Sequence, residues 1–279
     1  MICQAFSPSL ALQPYVHSYQ LRHFTSLNGQ KLPFKPYAPR AEQTLVFYPR
    51  GFEVIEHPFS KQEFKRPRSM VTGQYTERTN RHLATPDFIV ILVHFLPGVL
   101  HRITGIPYFE LTNTFVDAEA IFGSEIRRVN ERLNSTDSYP EMFVIIERYL
   151  HLLIQGTKAD SVVIDRVAQL IIDQPENSTI LEKASDSFLC VRQFERKFKE
   201  RMGISPKAFS NIARMNKAFR LKYNHPEKDW LDIALSCGYH DYQHMAKHFQ
   251  MFTLNTPPLY LKEDNYAPER YFGLRDSSM

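Results

Sequence analysis

Cysteine is scarce in this sequence, and no apolar run is long enough to cross a membrane. The 279 residues include three widely spaced cysteines, Cys3, Cys190 and Cys237. An odd, scattered set of this kind builds neither a disulfide framework nor a zinc site. The most apolar run, Phe88 to Leu100, contains a histidine and a proline and is shorter than a bilayer-spanning helix. The start of the sequence has no basic segment of the kind that opens a secretory signal. These absences predict a cytoplasmic protein without a membrane span.

The motifs of common enzyme sites are also missing. The sequence contains no glycine-rich phosphate loop, no nucleophile elbow and no HExxH zinc motif. Histidines do occur in two groups, His57, His82, His94 and His101, and then His240, His244 and His248. The first group has no recognisable ligand spacing. In the second group, His240 precedes the predicted helix start at Asp241, so the three rings do not share one helical face. We therefore expect no catalytic residue, no metal and no cofactor.

Charge is nearly balanced over the whole chain, with a formal net charge of +4. So small a value does not by itself indicate a nucleic-acid partner. Between Cys190 and Lys222, however, ten lysines and arginines stand against two glutamates, a local excess of eight positive charges. A basic stretch of this kind is the footprint expected of phosphate contact, although ordinary solvated helices also carry such stretches.

Strand-like segments fill the first part of the chain. Thr44–Tyr48, Phe52–Ile55 and Phe88–Phe95 are rich in β-branched and aromatic residues, and prolines punctuate the sequence around them. The pattern predicts a mainly β region over residues 1 to about 109, folded as a barrel or a sandwich.

The apolar period becomes helical over residues 110–155. Ile126 and Val129 lie in one predicted helix and Leu150 lies in the next. Their apolar stripes are wide enough to pack on the β region, on each other or on a second subunit. The pattern therefore leaves both core packing and a dimer interface through residues 122–153 open.

Two helical hairpins follow in tandem. In the first, residues 180–203, Phe194 and Phe198 keep helical spacing after a short break in the pattern. In the second, residues 230–249, Asp241 is the predicted N-cap of the second helix. A short polar or cationic helix held out by a partner helix suits a DNA major groove. One such hairpin is equally well a solvated surface, but two in tandem favour DNA binding.

Several stretches in these hairpins resemble the DNA-binding domain of AraC/XylS-type transcriptional regulators, in which one long helix joins two helix-turn-helix units. The matching residues are Arg192 to Phe198, Gly203-Ile204-Ser205-Pro206, Asp232-Ile233-Ala234, Cys237-Gly238-Tyr239, Asp241, Phe249 and Thr256-Pro257. The first half more loosely resembles the sensor half of one AraC-type subfamily, through Gly73-Gln74, residues 95–107 and Phe122-Gly123.

The resemblance implies a multidomain α+β protein. Residues 1–155 are expected to form a sensor and dimerisation domain, with a β part over about 1–109 and a helical part over about 110–155. Residues 159–262 are expected to form an all-α DNA-binding domain. Residues 159–279 are expected to bind DNA alone, and ligand response is expected to lie within residues 1–109. The tail, residues 263–279, is polar and proline-marked, and we expect it to be poorly ordered.

The implied function is that of a bacterial, sequence-specific transcription factor and not of an enzyme. Its expected partners are the major groove of double-stranded DNA, a small-molecule effector and a second copy of the chain, with RNA polymerase as a further candidate. The alternative is a metal- or ligand-binding β-barrel protein, or a barrel enzyme, with a helical appendage.

Helix geometry and the resemblance together identify groove-facing positions. Arg192, Glu195 and Arg196 stand on one face of the first predicted recognition helix, opposite Phe194 and Phe198. The corresponding base-contacting positions of the second helix are Tyr242, Gln243, Ala246 and Lys247. Phosphate contacts are expected from Lys199, Arg201 and Lys207.

Three positions depart from the family's pattern. Cys190 stands where a serine often caps the first recognition helix, and a thiol accepts a hydrogen bond poorly, so we expect that helix to start less firmly. Phe188 places a large ring in a turn where a small residue is usual. Leu254 replaces a usual glycine after the second recognition helix, where a positive φ is often needed.

Overall fold

The computed structural model describes residues 1–25, 33–58, 60–157, 163–176 and 189–274. In this part of the chain strands come first and helices follow. The strands are β1 (Ile2–Phe6), β2 (Val16–Thr25), β3 (Lys35–Tyr37), β4 (Gln43–Arg50), β5 (Glu53–Glu56), β6 (Glu63–Lys65), β7 (Ser69–Thr72), β8 (Thr79–Leu83), β9 (Asp87–Phe95) and β10 (Phe115–Asp117).

The helices of the described residues flank the strands and then take over the chain. They are α1 (Val99–Thr104), α2 (Ala118–Phe122), α3 (Ser124–Asn134), α4 (Tyr139–Ile154), α5 (Val163–Asp173), α6 (Val191–Met202), α7 (Pro206–Asn224), α8 (Trp230–Ser236), α9 (Tyr242–Thr253), α10 (Pro257–Asp264) and α11 (Pro268–Tyr271). A 3₁₀ turn covers Tyr108–Leu111. No helix in the described ranges has the length and apolar character needed to cross a bilayer.

The strands form two antiparallel sheets. The larger has the order β1-β2-β9-β4-β7-β10, and the smaller has the order β3-β8-β5-β6. Strand β9 lies inside the larger sheet, where Val93 pairs with Tyr19 on one side and Leu45 on the other. The predicted strands at Thr44–Tyr48, Phe52–Ile55 and Phe88–Phe95 correspond to β4, β5 and β9.

Side-chain alternation along the larger sheet creates two separate apolar cores. On β9, Ile89, Ile91 and Val93 belong to one core, and Phe88, Val90 and Leu92 belong to the other. Helices α3 and α4 cover the first core, to which they contribute Ile126, Val129 and Leu150. Ile126, Val129 and Leu150 therefore pack within the chain.

A third core holds the helices of the second half together. Its fully buried side chains come from α5, α6, α7, α8 and α9 and include Ile171, Phe198, Ile212, Ile233 and Phe249. We call the described residues up to 157 the β-rich region and those from 163 onward the helical region.

The end of the chain departs from expectation. Helix α10 runs to Asp264, and the next residues turn into α11, where Ala267 and Glu269 are buried. Phe272 and Leu274 pack against the core between the two sheets. Residues 267–274 are thus packed onto the β-rich region, and the prediction of a poorly ordered tail is wrong for them. Residues 275–279 lie outside the described part.

Candidate nucleic-acid interface

Helix α6 separates its apolar and polar residues onto opposite faces. Phe194 and Phe198 are fully buried, and their ring centroids lie 5.7 Å apart. The exposed residues of the helix include Arg192, Glu195, Arg196 and Lys199. The three residues predicted to read bases therefore share a solvent-facing surface. The helix expected before α6, from Ile180, and the turn residue Phe188 lie outside the described residues.

Cys190 is the N-cap of α6, and its side chain makes no capping hydrogen bond. The helix ends at Gly203, whose φ of 87° lies in the left-handed region that glycine adopts without strain. A β-carbon at this position would also approach Cβ of Gln74 to 3.0 Å. The expectation of a poorly capped first turn is confirmed, while the other end of the helix is tightly packed.

Helix α9 begins with a stronger cap. The Asp241 carboxylate accepts a hydrogen bond of 2.7 Å from the backbone N–H of His244. Met245 and Phe249 are fully buried, whereas Gln243 and Lys247 are exposed. The other two predicted base-contacting residues, Tyr242 and Ala246, are half-buried.

The C-cap residue of α9, Leu254, has a strained backbone conformation. Leu254 has a φ of 65°, the left-handed conformation that a side chain bearing a β-carbon disfavours. Leucine therefore adopts, at this position, the positive φ for which the family usually has a glycine. The turn before α9 also needs its glycine, because a β-carbon on Gly238 would lie 2.7 Å from Cβ of Glu176.

Two further helices hold these two in place. The long helix α7 starts at Pro206, with the Ser205 hydroxyl accepting a hydrogen bond from the backbone N–H of Ala208 at 3.3 Å. Helix α8 starts after Asp229, whose carboxylate caps the N–H of Asp232 at 2.7 Å. Helix α7 contacts α6, α8 and α9, so one rigid element connects both predicted recognition helices.

Arg201 does not lie on the exposed surface, contrary to the sequence expectation. Its guanidinium donates two hydrogen bonds of 2.6 Å to the two carboxylate oxygens of Asp165 on α5. The Asp165 side chain is 2% exposed, and Arg102 of the β-rich region lies 3.7 Å from the same carboxylate. Arg201 is thus paired within the protein, whereas Lys199 and Lys207 are exposed.

The β-rich region contacts the end of α6 directly. Gln43 donates a side-chain hydrogen bond of 2.8 Å to the carbonyl oxygen of Arg201, and the Thr112 hydroxyl donates one of 3.0 Å to that of Gly203. These contacts leave the predicted base-reading face uncovered. They join residues 91 to 158 positions apart, which no local pattern in the sequence could indicate.

The histidine rings of the second hairpin pack against one another: His240 stacks on His244, and His244 meets His248 edge-on. The ring centroids of His244 and His248 lie 4.9 Å apart. Burial, reinforced by His244, Arg214 and Lys207, lowers the pKa of His248 to about 4. Burial also lowers the pKa of His244. Across the described ranges no three His, Cys, Asp or Glu side chains are placed to hold a metal ion.

A cavity of about 600 Å³ lies between the β-rich and helical regions. Its walls include Lys35, Glu42 and His94 from the first region and Asn216 and Tyr260 from the second. His94 Nδ1 lies 3.3 Å from the Glu42 carboxylate. Although burial opposes ionisation, His94 and Arg40 hold the pKa of Glu42 well below its usual range. The cavity extends beyond residues 1–109, to which the sequence assigned ligand response.

Two family models match separate parts of the chain. One, described as "Helix-turn-helix domain", matches residues 184–263, and the other, described as "Domain of unknown function (DUF6597)", matches residues 4–117. The first match covers α6 to α10, the helices that carry the candidate interface.

Individual proteins are also similar to this chain. The HTH-type transcriptional regulator MtrA of Neisseria gonorrhoeae is 33% identical over 96 residues, which are 34% of this chain and 32% of that protein. The chain thus spans about a third of the length of this curated relative. A 1.65 Å structure of ToxT from Vibrio cholerae is 10% identical, covers 88% of this chain and 98% of its own, and has a TM-score of 0.48. ToxT with a bound unsaturated fatty acid is 11% identical, covers 87% and 94%, and has a TM-score of 0.46.

Proposed function

We propose that this chain, whose C-terminal part is an AraC-type helix-turn-helix domain, is a sequence-specific DNA-binding transcriptional regulator. One observation carries the proposal. Helices α6 and α9 belong to the same rigid helical region, and each buries its aromatic face while presenting polar and cationic residues to solvent. Two such helices on one support suit two successive major grooves on one side of a duplex.

Base reading is assigned to the exposed faces of the two helices. On α6, Arg196 can donate two hydrogen bonds to O6 and N7 of guanine, and Arg192 and Glu195 flank it. On α9, Gln243 suits adenine, and Lys247 reaches guanine or phosphate. Tyr242 and Ala246, which are half-buried, supply apolar contact at the groove wall.

Phosphate contact is assigned to Lys199 and Lys207. Both are exposed, and they lie at the end of α6 and the start of α7. Arg201 is left out of the interface because its charge is already paired with Asp165. At about 1.5 Å per residue the 19 residues of α7 span roughly 28 Å, comparable to the roughly 34 Å between successive major grooves.

A small-molecule effector is assigned to the cavity between the two regions. A molecule there contacts residues of both, so its binding energy differs between arrangements in which the regions are close and arrangements in which they are apart. Differential affinity of this kind is what allows a ligand to shift a conformational equilibrium. The cavity volume of about 600 Å³ is in the usual range for small-molecule sites.

A cytoplasmic location fits this function, and so does a homodimer. An exposed apolar surface of α4 supports the homodimer. Val144 and Leu152 lie eight positions apart on α4, and they are 59% and 56% exposed. These residues, and not the buried Ile126 and Val129, are the apolar side chains of residues 122–153 that remain for a second copy.

Titration of the full chain with duplex DNA tests the proposal. The logarithm of the affinity should fall linearly with the logarithm of salt concentration, by about 0.9 for each phosphate contacted. Selection from random duplexes should return a site with two elements about one helical turn apart. Arg192→Ala should weaken binding, while Arg128→Ala, an exposed arginine on α3, should leave it unchanged. Binding that is absent, or independent of salt, rejects the proposal.

A further inference from the structure

Four polar side chains pack together between α7 and α9. Arg214 comes from α7, Tyr239 from the turn before α9, and His244 and His248 from α9 itself. The Tyr239 ring centroid lies 5.3 Å from that of His244 and 5.4 Å from that of His248. The Arg214 guanidinium lies 5.5 Å from the same ring, within the range of a cation–π contact. We call these four residues the α7–α9 cluster.

Every member of the α7–α9 cluster has a buried polar atom without a hydrogen-bond partner among the described residues. These atoms are Nε of Arg214, the hydroxyl oxygen of Tyr239 and Nδ1 of both histidines. Tyr239 is 3% exposed and His248 is 9% exposed. Because the great majority of buried polar atoms in folded proteins are hydrogen-bonded, four unpartnered atoms in one cluster indicate a polar group that the described chain does not supply.

The guanidinium of Arg214 carries its positive charge without a carboxylate beside it. Its Nη1 donates to the carbonyl oxygen of Gly238 at 3.4 Å and its Nη2 to Oδ1 of Asn211 at 3.3 Å, and both acceptors are uncharged. No aspartate or glutamate in the described ranges forms an ion pair with it. Arg201, by contrast, donates two hydrogen bonds to the carboxylate of Asp165. The charge of Arg214 therefore remains open to an anion.

The α7–α9 cluster borders the surface that is assigned to DNA. His244 precedes Lys247 by three positions on α9, so the two side chains are neighbours on the helix surface. At the opposite side of the cluster, Lys207 of α7 is close enough to His248 to lower the pKa of that histidine. A duplex that contacts both lysines passes its backbone over the space between them, where Arg214 and His244 are half-buried.

The surroundings of His244 favour its uncharged form in the free protein. A charged imidazole carries N–H on both nitrogens, and the buried Nδ1 of His244 has no acceptor among the described residues. Burial also lowers the pKa of His244, and the positive neighbours reinforce the effect. The groups that act on this ring lie on α7, before α9 and on α9 itself: Arg214, His240, Asp241 and Lys247.

The carboxylates near the cluster are already engaged. Asp241, which alone of these four groups raises the pKa of His244, accepts a hydrogen bond of 2.7 Å from the backbone N–H of His244. Glu176 pairs with Lys217 at 2.6 Å. Burial keeps two further groups uncharged by raising their pKa values: Cys237 and Tyr239. The space between α7 and α9 therefore keeps an excess of positive charge that an anion can neutralise.

We propose that Arg214 and His244 bind one phosphate of the DNA backbone between α7 and α9, and that His244 takes up a proton when this phosphate binds. The inference rests on the proposed function for the identity of the anion. A phosphate oxygen accepts hydrogen bonds from the guanidinium, and its negative charge favours the charged imidazole. The pKa of His244 is then higher in the complex than in the free protein, so the complex holds more protons and affinity rises as the pH falls. The contact reads no base.

Salt dependence tests the arginine. Arg214→Gln should weaken binding to a selected site and to a scrambled duplex alike, and should lower the slope of log affinity against log salt by about one. Arg214→Lys keeps the charge and should keep the slope. The matched control is Arg220→Gln, which removes an exposed charge from α7 where the helix lines the cavity between the two regions, and it should leave the slope unchanged. An unchanged slope in Arg214→Gln, or an equal decrease in Arg220→Gln, overturns the proposal.

The pH dependence of duplex binding tests the histidine. At constant salt, affinity should rise by about threefold between about pH 7.5 and about pH 6 if binding raises the pKa of His244 by about one unit. His244→Gln should lose most of this rise. His225→Gln, at an exposed histidine that follows α7, should keep it. Equal pH dependence in the unchanged chain and in His244→Gln overturns the uptake of a proton by His244.

Inorganic sulfate tests the site without DNA. The pKa of His244 is measured by NMR in sulfate and in chloride at equal ionic strength. Sulfate should raise this pKa in the unchanged chain and have a smaller effect in Arg214→Gln. A chain that shows the sulfate effect but no salt-dependent duplex affinity contradicts the proposed function alone. Normal duplex binding whose salt slope and pH dependence are the same in both variants rejects this phosphate site alone.

Discussion

The two predicted recognition helices differ in how their ends are stabilised. Helix α6 starts at Cys190 without a side-chain cap, but its last turn is fixed by the Arg201–Asp165 ion pair and by hydrogen bonds from the β-rich region. Helix α9 starts at a well-capped Asp241 and stops at Leu254 with a strained backbone. Similar hairpin sequences thus do not give equally anchored helices. The β-rich region also reaches the end of α9, where the Arg78 guanidinium donates a hydrogen bond of 3.4 Å to the carbonyl oxygen of Thr253. Because it makes two shorter hydrogen bonds to the end of α6, we infer that the position of α6 depends on the β-rich region more than that of α9 does.

The largest effect is expected where α6 is anchored. Asp165→Ala leaves Arg201 and Arg102 without their shared buried carboxylate, and it should lower the free energy of unfolding by about 3–5 kcal/mol. The matched control is Glu176→Ala, which removes a more exposed ion pair with Lys217 and should cost about 1 kcal/mol or less. Urea unfolding compares them; equal losses would show that the buried pair is not the anchor.

The stability of the protein should depend on pH through His248 on α9. Burial and the neighbouring cations lower the pKa of His248 from 6.5 to about 4. The unfolded chain therefore takes up a proton near pH 6.5 that the folded chain does not accept until about pH 4, so stability falls as pH decreases through this window. His248→Gln should make this fall in the free energy of unfolding at acid pH smaller by roughly 1–2 kcal/mol. Unfolding curves near neutral and mildly acidic pH measure it, with the exposed His240→Gln as control; identical pH dependence in both would contradict the assignment.

Substitutions at the C-terminal ends of the two helices should change stability in opposite directions. Gly203→Ala forces a β-carbon into a left-handed, crowded position and should destabilise by about 1–2 kcal/mol. Leu254→Gly relieves the same backbone strain and should stabilise by about 0.5–1 kcal/mol. Thermal unfolding of both variants is sufficient, and a loss of stability in Leu254→Gly would mean that leucine packing outweighs the strain.

The smallest effects are expected at the helix starts. Asp241→Ala should lower stability by about 1 kcal/mol because the N–H of His244 loses its acceptor, whereas Cys190→Ser should raise it by up to about 1 kcal/mol by supplying one. Cys190→Ala controls for loss of the thiol and should be nearly neutral. If Cys190→Ser and Cys190→Ala have the same stability, a capping hydroxyl does not stabilise the start of α6.

Patterns within a single element were predictable, and contacts between distant elements were not. The alternation in Phe88–Phe95 and the helical spacing of Phe194 and Phe198 are local, and both appear in the fold as expected. Arg201 looks like another surface cation in the sequence, because the residue that binds it, Asp165, lies 36 positions away. The tail looks disordered by composition, since its partners Lys35 and Phe24 belong to strands more than 230 positions earlier. The sequence contains no signal for either pairing.

The most direct test of DNA reading compares Arg196→Ala with Lys199→Ala, both on the exposed face of α6. Each variant is titrated against a selected operator and against a scrambled duplex. Arg196→Ala should cost about 1–3 kcal/mol on the operator alone and relax preference at one base pair, because Arg196 reads a base. Lys199→Ala should weaken both duplexes alike and lower the salt slope by about one, because Lys199 contacts phosphate. Equal loss on both duplexes for Arg196→Ala would contradict the assignment of α6 to base reading.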